Sequence, residues 1–223
     1  MLASFQRSKA SGIIFLEDSR LSLLELARQN HIPHVLVHPV MRKHDFMVDI
    51  DDFTGILEAV KALSDKGARG IVLVGRNLKS GHNRDKAEAF LACLKHAGLR
   101  SATDSLYEVP DKHDLGDRIR HLSRHLASLH HGKRYDAVFA VDPAVLEITE
   151  SALAEAKIIV PRQMLLAVFG FHGYAKRSRL PLGVVEIPHE DAALTGVEVL
   201  LKACHDSRIA GDIRLLKTHF RWL

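Results

Sequence analysis

Short apolar runs alternate with amphipathic stretches along almost the whole chain. Gly12–Leu16 (GIIFL), His34–His38 (HVLVH), Phe46–Ile50, Gly70–Gly75, Ser105–Val109, Ala137–Val141, Leu165–Gly170, Gly183–Ile187 and a final stretch near Ile213–Phe220 read as strands. Between them, apolar residues recur at helical spacing. This predicts helices over Ser19–Asn30, Asp51 or Asp52 to Lys66, Arg84–His96, Asp114–His130, Ala144–Ala156 and Glu190–His205. The punctuation agrees with those limits. Pro33 breaks the first helix, Gly67 ends the second, and Asp142-Pro143 offers a cap followed by a residue suited to a first helical turn. Strands alternating with helices predict an α/β protein whose parallel sheets are covered on both faces.

One segment decides how the sheets are expected to divide. Leu165–Pro188 reads LLAVFGFHGYAKRSRLPLGVVEIP, two apolar runs joined by a short loop. A parallel crossover needs a dozen or more residues, usually a helix. The loop is therefore expected to carry the chain from one sheet to another. That predicts two α/β lobes with a cleft between them, a geometry suited to a small-molecule sensor.

Composition narrows the class. The 223 residues are 47% hydrophobic and 26% charged, ordinary for a globular chain with a sizeable core. No apolar run approaches the roughly 18 residues of a membrane span. The start, MLASFQRSKASGIIFLED, lacks the pattern of a secretory signal, so a cytoplasmic location is expected. Cys93 and Cys204 lie far apart in apparent helices and read as reduced thiols. Net charge is +4 with histidine neutral, compatible with an anionic ligand but too small to argue for nucleic-acid binding.

Several patterns could carry chemistry. His121 and His125 stand four apart on one helix, with His130 and His131 near its end, but without an HExxH motif or a cysteine partner they read as a solvated face. Ala175–Arg179 (AKRSR) reads as a solvated basic turn that could meet phosphate. Arg76–Arg84 (RNLKSGHNR) leaves a strand and opens a helix, a place where backbone amides favour an anion. It matches no P-loop or dinucleotide pattern, and the chain has no Gly-x-Ser-x-Gly elbow. No catalytic residue, metal site or cofactor is expected.

In order, GIIFL, HIPHVLVH, VDIDDFTGILEAVKALSDKGARGIVLVG, SGHNRDKAEAFLACLKHAGL, YDAVFAVDPAVLEIT, VPRQMLLAVFGF and LPLGVVEIPHEDAALTGVEVLL resemble the effector-binding core of LacI/GalR transcriptional regulators. That family has a periplasmic-binding-protein type I fold. The resemblance implies two Rossmann-like lobes with parallel sheets and a ligand cleft between them. One lobe would hold residues 1–50 plus 182–207. The other would hold 51–181 plus 208–223. The family's helix-turn-helix, hinge helix and first strand, helix and second strand have no counterpart ahead of Gly12.

The resemblance further implies a small-molecule effector, a homodimer, and operator DNA bound only through a helix-turn-helix outside these motifs, with no membrane partner. Its ligand-contact positions fall at Ile50, His82, Lys86, Val141, His172 and Ile187. Lys86 stands where the family usually has arginine, His172 where it has aspartate, and Ile187 where it has glutamine. These departures remove groups that grip sugar hydroxyls and favour an anionic, partly apolar ligand such as a sugar phosphate or carboxylate. A free-standing solute-binding protein and a small α/β enzyme are the rival readings.

Overall fold

The computed structural model describes residues 10–16, 21–40, 46–101, 103–111, 114–132, 135–170, 173, 177–205 and 211–223. They form two compact units. The first comprises residues 1–51 and 188–217, the second 52–187 and 218–223.

The first unit holds a four-stranded parallel sheet in the order β1 (Ile13–Leu16), β2 (His34–Val37), β3 (Phe46–Asp51), β9 (Asp212–Lys217). Helix α1 (Leu21–Gln29) makes the β1–β2 crossover and buries Leu24 and Ala27. Helix α6 (His189–His205) lies on one sheet face, with Ala192 and Val199 buried against Val35, Val37 and Val48. Alternate residues Leu36 and Met47 point to the other face and are also buried. Gly196 is needed where α6 meets the sheet, because a β-carbon there would stand 2.9 Å from Val37. Ser19, where the first helix was expected to start, lies outside the described residues.

The second unit holds a six-stranded sheet in the order β10 (His219–Trp222), β8 (Gly183–Glu186), β7 (Leu165–Gly170), β6 (Ala137–Ala140), β4 (Ile71–Gly75), β5 (Leu106–Glu108). All neighbours are parallel except β10, which runs antiparallel to β8. Helices α2 (Asp52–Asp65), α3 (Gly81–His96), α4 (Leu115–His131) and α5 (Pro143–Glu155) accompany it. The central strands are buried along their full length, which explains their unbroken apolar runs. Phe139 stacks on Phe169 with ring centres 5.4 Å apart, and Phe90 meets Phe139 edge-on at 6.1 Å. The Asp136 carboxylate accepts from the amides of Arg69 and Gly70, at 2.9 and 3.1 Å, and so fixes the start of β4 beside β6. Asp114 caps α4 by accepting from Asp117 N, and Asp142 caps α5 by accepting from Val145 N at 2.7 Å, with Pro143 in the first turn.

Three expectations need correction. The segment after β7 does not lead to another sheet, because β7 and β8 pair in parallel within the six-stranded sheet. Residues 171–182 between them number a dozen, which meets the minimum length for a crossover. The terminal stretch is not one strand. It divides at Thr218 into β9, which pairs with β3, and β10, which pairs with β8. The boundaries move accordingly, so that residues 182–187 belong with the second unit and 208–217 with the first. Smaller shifts occur at α3, which starts at Gly81 rather than Arg84, and at β5, where Thr103–Ser105 form a 3₁₀ turn ahead of the strand.

Among the described residues no helix is long and apolar enough to cross a membrane, and no group of three histidine, cysteine or carboxylate side chains could hold a metal ion.

Candidate functional site: the carboxyl ends of β4, β6 and β7

The six-stranded sheet has one topological switch point. From β4 the chain moves to β5 on one side, then returns to β6 on the other. Where connections diverge in this way, the carboxyl ends of the flanking strands, here β4 and β6, form the crevice that usually takes the ligand in an open α/β sheet. Arg76 follows β4 there, and Val141-Asp142 follow β6. The loop from Arg76 to Ser80 then delivers the amino terminus of α3. Asn83 Nδ2 donates to the Arg76 carbonyl at 2.8 Å and ties the loop to the helix's first turn. Ser80, the N-cap, makes no side-chain capping bond. The helix therefore presents a positive dipole end without a capping oxygen from its own cap residue.

Lys86 sits on the second turn of α3 and is 7% exposed. Side chains on a helix lean toward its amino terminus, so the lysine reaches back over the crevice. Its Nζ lies 4.7 Å from the centre of the Phe169 ring, near the end of β7. Among the described residues no hydrogen bond or ion pair reaches that ammonium. Arg76 is a second cation here. Its Nη2 stands 4.0 Å from Asp142 Oδ2, at the limit of an ion pair, and its Nε is buried without a hydrogen-bond partner among the described residues. Asp142 spends its other oxygen on capping α5.

The expected contact positions are distributed as follows. His82 lies half-buried in the first turn of α3 and Lys86 one turn on. Val141 is fully buried, with its methyl groups packed over Gly75, where a β-carbon would stand 2.9 Å from either of them. Ile187 is half-buried, and its amide donates to the Gly170 carbonyl at 2.9 Å. Ile50 belongs to the first unit, where it is buried at the end of β3 opposite Leu216. His172 lies outside the described residues, as does part of the 175–179 basic run. Sequence reasoning did not single out Arg76 or Phe169 as site residues. Both signals were in the sequence, since Arg76 is the first residue after a fully apolar strand and Phe169 the penultimate residue of another.

Other reactive groups are accounted for by packing. Burial pushes the Cys93 thiol up to about 11, so it is no nucleophile near neutral pH. His125 stacks on Tyr107 at 4.4 Å, and burial lowers its pKa.

The chain crosses three times between two α/β units, the larger of which has a switch point in its mainly parallel sheet, and this defines a two-unit α/β class of protein. Residues 60–221 match the model of the periplasmic binding protein-like domain, and the chain belongs to that family. No curated protein matches it by sequence. Among solved structures it is similar to a LacI-family regulatory protein from Chloroflexus aggregans, with TM-score 0.82, 18% identity, and coverage of 98% of this chain and 78% of that one. It is also similar to a LacI-family transcriptional regulator from Enterococcus faecium with bound ribose, with TM-score 0.77, 18% identity, and coverage of 99% and 81%. The transcriptional regulator CelR in complex with cellobiose gives TM-score 0.79, 18% identity, and coverage of 99% and 67%. At this identity the likeness establishes a shared fold.

Proposed function

We propose that the chain is the effector-sensing domain of a LacI-type transcriptional regulator. The observation that carries this reading is the switch-point crevice, with a helix start that lacks a side-chain cap from Ser80 and a buried Lys86 that has no hydrogen-bond or ion-pair partner among the described residues, in a member of the periplasmic binding protein-like family. Regulators among the structural neighbours support it, two of them solved with ribose or cellobiose bound. The domain works by differential affinity. An effector that binds one arrangement of the two units better than another shifts their equilibrium. In a regulator that shift is read out by a homodimer whose operator contacts are made by a helix-turn-helix joined to this domain. The protein acts in the cytoplasm and turns over no substrate. His82, Lys86, His172 and Ile187, with Ile50 from the first unit, are the proposed ligand contacts, and Val141 supports the floor of the crevice.

The test is a metabolite panel read by thermal unfolding, followed by calorimetric titration of each hit. Saturable binding with unchanged ligand supports a sensor. Consumption of the ligand would make the protein an enzyme. Failure of every neutral and anionic metabolite to shift the melting curve would remove the sensing role.

A further inference from the structure

The sensing role leaves the effector's chemistry open, and the crevice narrows it. We infer that the effector carries a phosphate or carboxylate group, anchored between Lys86, Arg76 and the amino terminus of α3. This rests on the sensing role proposed above.

A buried cation is ordinarily paired or hydrogen-bonded, because removal from water is costly. Lys86 is more than nine-tenths buried, and its ammonium meets only the face of Phe169 among the described residues. A ring face offsets part of the lost hydration but supplies no counter-charge. Arg76 adds a buried Nε without a partner, and its nearest carboxylate, Asp142, is 4.0 Å away and already holds the first turn of α5. The start of α3 adds backbone donors with no side-chain cap. Three positive features thus lie on the segments that follow β4, with one partly committed carboxylate beside Arg76. A neutral sugar would leave Lys86 uncompensated, since hydroxyl groups bring no charge. An oxyanion answers all three features at once: it pairs with the ammonium and the guanidinium and accepts from the helix amides. Ile187, which is half-buried, suits the apolar part of such a molecule.

Solvated surface charge does not account for the arrangement. Arg84, two residues earlier on α3, is half-exposed and paired with Asp85 at 2.9 Å. The helix thus provides acids for its surface cation and none for its buried one.

Thermal unfolding and calorimetry of the full chain at fixed ionic strength test this with paired probes. These are ribose and ribose 5-phosphate, glucose and glucose 6-phosphate, gluconate, and inorganic phosphate. The expected result is that at least one phosphorylated or carboxylated probe binds about tenfold or more tightly than its neutral parent. A better response to the phosphate esters or to gluconate identifies which oxyanion is used. Lys86→Met should abolish that preference, Lys86→Arg should keep part of it, and Arg84→Ala should leave it unchanged. Without ligand, Lys86→Met should melt no lower than the wild type, because it removes an ammonium with no counter-charge among the described residues while keeping the volume. A lower melting temperature would show that the lysine is structural and would overturn the inference. Equal or tighter binding of the neutral sugars would also overturn it while leaving the sensing role intact. Absence of any binding would remove both.

Discussion

The Lys86 ammonium lies 4.7 Å from the centre of the Phe169 ring, and that ring is itself stacked on Phe139. The pair joins the crevice to the core of the second unit. Replacing Phe169 with leucine keeps an apolar side chain of similar reach but removes both ring contacts. The expected cost is about 1–2 kcal/mol, from imperfect repacking and the lost aromatic pair. Urea unfolding should show a lower midpoint with an unchanged slope. A midpoint equal to that of the wild type would mean that the stack contributes nothing measurable.

Asp212 should make the protein acid-sensitive. Its carboxylate accepts from Arg214 Nε at 2.6 Å and from Lys202 at 3.0 Å, and these bonds, Arg214 first, hold its pKa down at about 2. The folded value lies below the ordinary 3.8, so the stabilisation is complete above about pH 4 and is lost as pH falls toward 2. Both cations are half-exposed, so water screens the pair, and roughly 1 kcal/mol is expected at neutral pH. Asp212→Asn should be less stable than the wild type by that amount at pH 7, and the gap should close between pH 4 and 2. A gap independent of pH would assign the loss to packing instead.

Gly183 is required by Phe220. A β-carbon on Gly183 would stand 2.1 Å from the Phe220 ring, which reaches it diagonally from β10, two residues before Gly183's register partner Trp222. Gly183→Ala should therefore cost about 1–3 kcal/mol. Adding Phe220→Leu should recover part of that loss, giving a coupling energy of the favourable sign in a double-mutant cycle. Additive losses would show that β10 already moves aside.

The first unit should associate with a second copy. Among the described residues β1 pairs only with β2, and Leu16 at its end is 66% exposed. On α6, Leu194, Val197 and Leu201 are exposed at helical spacing. This helix reaches the β1 end of the sheet, where Leu200 and Cys204 lie over Gly12. An edge strand beside an apolar stripe recruits another chain. Light scattering over a concentration series should show self-association, and Leu194→Glu with Leu201→Glu should weaken it. A monodisperse monomer at every concentration would refute the proposed homodimer contact.

Much was legible in the residues themselves. The apolar runs at 34–38, 70–75 and 137–141 could be read as buried strands because both of their faces are covered, and Asp142-Pro143 marked a helix start because capping is local chemistry. The helix start after the Gly75 loop was recognisable too, though the helix begins at Gly81 rather than Arg84. What the sequence could not settle was which strand pairs with which. DIRLLKTHFRWL reads as one alternating stretch, yet Thr218 sends β9 into one sheet and β10 into another, where its hydroxyl accepts from the Gly55 amide at 3.0 Å. Likewise the dozen residues after Gly170 fit either a change of sheet or a return to the same one, and only the pairing of β7 with β8 decided it. Strand alternation records which faces are buried and nothing of the neighbour that buries them. The isolation of Lys86 is of the same kind, since a lysine on an amphipathic helix reads as solvated until the surrounding elements show that it is mostly enclosed and that, among the described residues, no acid pairs with it.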